Sequence, residues 1–301
     1  MDNLREALQR AREEGRGDIG RTRKRQRVDP KTAGRQVSQR IYTPGQPAQA
    51  EAKPVDSKLI LPHSARPHTP RGVANVRYKH TRVIELDPAA LEENRVIAGQ
   101  QGDERVEAYR QLRTQVLHTF EKNNWSSLAI TSPMQNAGKT LTSVNLAIAL
   151  AQEVEHTVLL VDLDLSHPNV HTTLGVEVEH GLTDVISGDI NIRECMFNPG
   201  VHRMTVLPGR PLIDYSSELL TSPEMRNLLQ DITTRYPSRI VIFDLPPLLR
   251  NDDALKFTPF ADATLMVVEA GRNTPEEVER CVHLLKNANL IGTILNKARN
   301  G

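Results

Sequence analysis

The chain has 301 residues, 38% of them hydrophobic and 4% aromatic, and a formal net charge of +1. That length supports one large α/β domain or two small ones with a real core, while so few aromatics exclude wide base-stacking platforms, and no nucleic acid is expected as a partner. Cys195 and Cys281 lie far apart, which argues against a disulfide framework and for a reducing, cytoplasmic setting; no apolar run approaches the roughly 20 residues that span a bilayer, so a membrane is reached only peripherally.

The near-neutral total hides an asymmetry. Residues 1–40 hold 12 Lys/Arg against 6 Asp/Glu, leaving 26 against 31 for the rest. At the N-terminus, Leu4, Ala7, Leu8 and Ala11 share one face of a short helix that is marginal alone in water. The basic run Arg21 to Arg27 suits an anionic membrane surface, and reads equally as a solvated tail. Residues 43–72 carry six prolines and few apolar side chains, the composition of an extended linker. Residues 1–87 are therefore expected to form a largely disordered extension, and 88–301 the folded domain.

From about residue 88, helices alternate with buried strands. A helix over 103–121 puts Tyr109, Leu112, Val116 and Phe120 on one narrow face. Strands are expected at 127–131, 157–162, 204–208, 239–244, 263–270 and 291–296, mostly continuous apolar runs of the kind covered on both faces. Ser222-Pro223-Glu224 opens one helix, and Thr274 with Glu277 forms a capping box that opens another. Such alternation predicts a doubly wound, mainly parallel α/β sheet.

The segment SLAITSPMQNAGKTLTSVNLAIALA runs from strand through polar loop to Gly138-Lys139-Thr140 and an apolar helix. This is the context a phosphate-binding loop requires: backbone N–H groups and a helix N-terminus face the anion, Gly138 permits close approach, Lys139 supplies charge, and Thr140 offers a hydroxyl to Mg²⁺. The pattern departs from G-x-x-x-x-G-K-[ST] at its first position, which is Pro133. Asp162 and Asp164 end one buried strand and Asp244 another. Ligands of doubly wound sheets bind at the carboxyl ends of strands, so the three carboxylates are expected to converge on the loop at 133–140.

Residues 88–298 resemble the bacterial tyrosine kinases (BY-kinases) of the CpsD/CapB type, above all the subgroup associated with exopolysaccharide and exosortase gene clusters. TSPMQNAGKT resembles their Walker A loop, VLLVDLDLSHPNVH their Walker A′ segment and RIVIFDLPPLL their Walker B strand, with HGLTDVISGD and LPGRPLIDYSSELLTSPEM similar to signatures between them. The resemblance implies a P-loop NTPase fold and transfer of the ATP γ-phosphoryl group to tyrosine in the service of exopolysaccharide or capsule biosynthesis and export. It implies that Asn136, Ala137, Gly138, Lys139, Thr140, Leu141 and Asn296 contact the nucleotide. Thr140, Asp164 and Asp244 would hold Mg²⁺. Lys139, Asp162 and Asp164 would carry catalysis, with Asp162 accepting the tyrosine proton. Glu107, Arg110 and Arg113 spell the family's E-x-x-R-x-x-R motif for ring assembly, and the implied partner is a transmembrane, Wzz-type regulator of chain length.

The match has departures. No lysine precedes Lys139 in the loop, which separates the chain from dimerising ATPases related to MinD and ParA. Ser166 and His167 stand where the family often has basic residues. The chain closes on NKARNG without a tyrosine cluster, so Tyr42 and Tyr78 are the expected acceptors, with Tyr109 and Tyr236 expected in helical core positions. Two other readings compete with the kinase: a non-kinase regulatory ATPase of the MinD/ParA kind, and a scaffold with a degraded site.

Overall fold

A computed structural model describes residues 81–100, 104–212 and 216–298. The N-terminal helix, the basic run, the proline-rich linker, Tyr42, Tyr78 and Tyr215 lie outside the described residues.

The apolar runs form the strands of a single eight-stranded sheet. They are β2 (Ser127–Thr131), β3 (Thr157–Asp162), β5 (Met204–Leu207), β6 (Arg239–Asp244), β7 (Ala263–Glu269) and β8 (Leu290–Asn296). Two short strands that the sequence did not announce, β1 (Arg82–Val83) and β4 (Phe197–Asn198), complete it. The order is β1-β4-β5-β3-β6-β2-β7-β8. Every pairing is parallel except β4 with β5, where Phe197 stands opposite Val206. β1 lies on the extension side of the 87/88 boundary read from the sequence.

Apolar side chains from both faces of the sheet are fully buried, which is why its central strands show no period-two alternation. One core layer gathers Leu128, Ile130, Leu160 and Ile242 under helix α3 (Lys139–Ala151) and helix α2 (Glu104–Asn123). The other gathers Ala129, Leu159, Val161, Val241 and Phe243 under α8 (Pro223–Thr234), α9 (Asp253–Phe257) and α10 (Pro275–Leu284). Short helices α1 (Pro88–Glu93), α4 (Val170–Thr173), α5 (Leu182–Ile186), α6 (Ile192–Cys195) and α7 (Ser216–Leu220) punctuate the connections.

The caps follow from sequence. Ser222 accepts from the Met225 N–H and Pro223 opens α8. Thr274 and Glu277 exchange side-chain-to-backbone bonds at the start of α10. Helix α3 is apolar almost all round because it is enclosed between sheet and α2, with Val144, Leu146 and Leu150 fully buried. Each such burial stabilises the fold by about 1.5–3 kcal/mol.

Tyr236 departs from expectation. Helix α8 stops at Thr234, and Tyr236 is 47% exposed, with Arg239 stacked 4.2 Å from its ring centre. Tyr109 does pack on the core from α2. Among the described residues, no helix is long and apolar enough to cross a membrane.

Candidate functional site: a phosphate loop facing three carboxylates

β2 sits between β6 and β7, so the loop leaving its carboxyl end has strand ends on both sides. Leu248 and Leu249 donate to the carbonyls of Ser132 and Pro133, binding the segment after β6 to the loop. Gly138 caps α3 with φ of 95°, a left-handed conformation in which any side chain would be strained. Beyond it the helix turns Lys139 and Thr140 inward.

Lys139 Nζ lies 2.8 Å from Asp164 Oδ2 and 3.8 Å from Asp244 Oδ2. Thr140 Oγ1 donates to Asp244 Oδ2 at 2.6 Å, and Ser143 Oγ, one turn on, lies 3.0 Å from Asp244 Oδ1. Both Asp244 oxygens are thus engaged by hydroxyls of one helix. Asp162 ends β3 opposite Asp244, which ends β6, with the two residues in register. Its Oδ2 accepts from the N–H groups of Asn169 and Val170, both at 2.9 Å, and its Oδ1 accepts from the Asp164 N–H at 3.2 Å. Asp162 is fully buried and holds the 163–170 turn closed. Gly209 is needed beside it, because a Cβ there would come within 2.9 Å of Pro168 and 3.3 Å of the Asp162 carboxyl carbon.

The electrostatics follow from burial. Loss of solvent, then the charge of Asp244, push the Asp162 carboxyl up to about 8, against the Val170 N–H and Lys139. Burial also raises Asp244, opposed by Lys139 and by the hydroxyl of Thr140. Burial works to lower Lys139, yet Asp244 and Asp164 outweigh it and hold the ammonium above its ordinary value. Packed around one ammonium in a dry site, Asp162 and Asp244 are held towards their protonated forms, and a further cation would displace those protons by favouring the ionised forms.

Asn136 has a left-handed backbone at φ 64°. Ala137 is buried, and Leu141 faces the core from the first turn of α3. Asn296, at the end of β8, donates to the Ala137 carbonyl at 2.9 Å. The expected nucleotide contacts are therefore gathered around one loop.

The E-x-x-R-x-x-R residues on α2 line one shallow surface depression but differ in their partners. Glu107 and Arg110 pair at 3.6 Å and are both about half exposed. Arg113 instead turns inward, 3.0 Å from Glu153 and within reach of the Ala149 carbonyl at the end of α3.

Sequence reading overlooked Ser143, Asn145, Glu269 and Lys297. Ser143 was accessible in principle, since three residues after Thr140 on a helix lies the same face. The others needed strand ends to be placed in space.

A family profile described as "AAA domain" matches residues 128–296. The tyrosine-protein kinase YwqD of Bacillus subtilis (strain 168) is 32% identical over 192 residues, covering 63% of this chain and 80% of that protein. The chain belongs to the bacterial tyrosine-kinase family. The tyrosine-protein kinase etk of Escherichia coli (strain K12) is 33% identical over 196 residues, covering 64% of this chain but only 27% of that much longer protein. The solved kinase domain of the Escherichia coli tyrosine kinase ETK superposes with a TM-score of 0.63 at 29% identity, covering 74% of this chain and 85% of that one. The bacterial tyrosine-kinase fold thus spans the whole region of the phosphate loop and its three acids.

Proposed function

We propose that this chain is a Mg-ATP-dependent protein-tyrosine autokinase that regulates exopolysaccharide or capsule biosynthesis and export. The observation that carries the reading is the meeting of Lys139 and Thr140 with Asp164 and Asp244 within 2.6–3.8 Å at the carboxyl ends of β3 and β6. The fit to Mg²⁺ rests on the donor set, which is hydroxyl and carboxylate oxygen of the kind that hard cation takes. Thr140, Asp164 and Asp244 would hold it, and it would neutralise charge on the phosphates.

The protein's own residues supply the rest. Loop amides at Asn136, Ala137 and Gly138, with Lys139 and the first turn of α3 at Leu141, bind and orient the triphosphate. A tyrosyl oxygen forms the new bond to the γ-phosphorus, the bridging oxygen leaves on ADP, and the tyrosyl proton passes to Asp162. The burial that raises Asp162 suits it to take a proton near neutral pH. Both of its oxygens meet main-chain N–H groups, so the 163–170 turn must shift before a substrate reaches it. Asp164 is engaged on both oxygens as well, Oδ2 by Lys139 and Oδ1 by the His167 N–H, which suits it to neutralising charge rather than to taking the proton. Among the relatives, the kinase names disfavour a non-kinase regulatory ATPase of the MinD/ParA kind.

For assembly, exposed Glu107 and Arg110 would face a neighbouring subunit of a ring, while Arg113 supports α2 from within. The basic segment of the 1–87 extension would approach anionic lipid at the inner face of the membrane, beside a transmembrane, Wzz-type chain-length regulator.

The test incubates wild type and Lys139→Met with labelled Mg-ATP and probes for phosphotyrosine. Label in wild type alone supports the kinase. Equal label in both, or none in wild type, overturns it.

A further inference from the structure

Two non-glycine residues with left-handed backbones meet across the crest of the phosphate loop: Asn136 at φ 64° and Lys297 at φ 58°. Lys297 Nζ donates to the Asn136 carbonyl at 2.7 Å, and Glu269 Oε1 holds the same ammonium at 3.0 Å. The next carbonyl, that of Ala137, accepts from Asn296 Nδ2 at 2.9 Å. The Asn296 side chain is itself fixed, because its Oδ1 accepts from the Lys297 N–H at 2.9 Å. It lies flat on the loop: a Cβ at Gly138 would stand 2.1 Å from Asn296 Nδ2. Glu269 is anchored in turn, its N–H donating to Asn273 Oδ1 at 2.8 Å and Asn273 Nδ2 donating to the capping residue Glu277 at 3.2 Å. Left-handed conformations of this kind persist only where the surroundings over-determine them.

Peptide planarity gives these contacts a consequence. In a trans peptide the C=O and the following N–H point in opposite directions, and the described chain has no cis bond. Drawing the Asn136 and Ala137 carbonyls towards β8 therefore turns the Ala137 and Gly138 N–H groups away from β8. β8 lies on the β7 side of β2, whereas β6 and β3 lie on the other. The ends of β6 and β3, with Asp244 and Asp164, stand on that side of the loop.

We infer that Lys297 and Asn296 are positioning residues that aim two phosphate-binding amides from behind the loop, with Glu269 holding Lys297 in place. The inference rests on reading the loop as a nucleotide site. Lys297 acts on the loop carbonyl rather than on the nucleotide, so its effect falls on the phosphates.

The experiment uses the full chain, with Lys297→Met, Lys297→Arg and Glu269→Gln beside wild type. Dissociation constants for Mg-ADP and for inorganic pyrophosphate are measured by calorimetry. Amide exchange at Ala137 and Gly138 is followed by NMR without ligand. Lys297→Met is expected to weaken both ligands roughly tenfold, the scale of one charge-assisted hydrogen bond. Exchange at the two amides should quicken, the melting temperature should stay unchanged, and Lys297→Arg should restore affinity to within about threefold. Glu269→Gln should fall between. Wild-type affinity in Lys297→Met overturns the proposal and leaves the kinase reading standing, as does a loss that arginine does not restore. A shift in affinity in a protein that makes no phosphotyrosine would uphold the proposal while the kinase reading fails.

Discussion

Replacing Asn145 by leucine tests whether the segment before α2 is pinned to α3 by one side chain. Asn145 is fully buried in the second turn of α3. Its Oδ1 accepts from the N–H groups of Ile97 and Ala98 at 2.8 and 2.9 Å. Its Nδ2 donates to the carbonyls of Arg95 and Leu141 at 3.2 and 3.0 Å. All four hydrogen-bonding positions of the amide are used. Leucine fits the volume but leaves the Ile97 and Ala98 N–H groups buried without an acceptor. At about 1–3 kcal/mol for each orphaned donor, less about 1 kcal/mol gained from the apolar side chain, the loss is about 3 kcal/mol. A folded body of this size loses about 2–4 °C in Tm per kcal/mol, so Asn145→Leu should melt about 6–12 °C lower. Differential scanning calorimetry reads the shift, and hydrogen exchange should show the Ile97 and Ala98 amides opening first. A variant melting within about 2 °C of wild type would refute the reasoning, since two buried donors cannot be orphaned so cheaply.

Gly138→Ala places a methyl group where Asn296 lies and forces a left-handed alanine, so affinity for Mg-ADP should fall about tenfold or more in calorimetry and Tm should drop by a few degrees, the scale of about 1–2 kcal/mol of backbone strain, and unaltered binding would contradict the geometry. Asp162 predicts a pH dependence. Its folded value of about 8 lies above the unfolded carboxylate value, so the folded chain holds that proton more tightly and stability declines as pH rises towards and through about 8. Tm measured from pH 7 to 9 without nucleotide should therefore fall, and the slope should flatten in Asp162→Asn; a rising Tm, or an unchanged slope in the variant, would show that the burial argument is wrong.

The central strands and the caps were legible because their signals are local. An apolar run of five or six residues closed by aspartate reads as a buried strand from its own residues, and Thr274 with Glu277 reads as a helix start. β1 and β4 have two residues each, too few to show any period. Tyr236 looked like a continuation of α8, yet the helix frays at Arg235 and the ring stacks on Arg239 instead. The phosphate loop and its three acids could be read because strand ends share one rim of a parallel sheet. Asn145 could not, since its partners at residues 95–98 lie some fifty positions away in sequence. Arg113 lies beside Glu107 and Arg110 as its spacing suggests, but its guanidinium also reaches Ala149 and Glu153 at the end of α3, which no spacing within α2 could show.

Arg113 and Arg203 both seat guanidinium groups on carbonyls at the end of α3, those of Ala149 and Glu153. A helix of 13 residues is a stiff rod about 20 Å long. Its far tip carries Gly138, Lys139 and Thr140. The contacts from α2 and Arg203 therefore fall on the same helix whose first turn begins the phosphate loop. Arginine side chains thus hold one end of α3, and lysine and threonine face the three acids from the other.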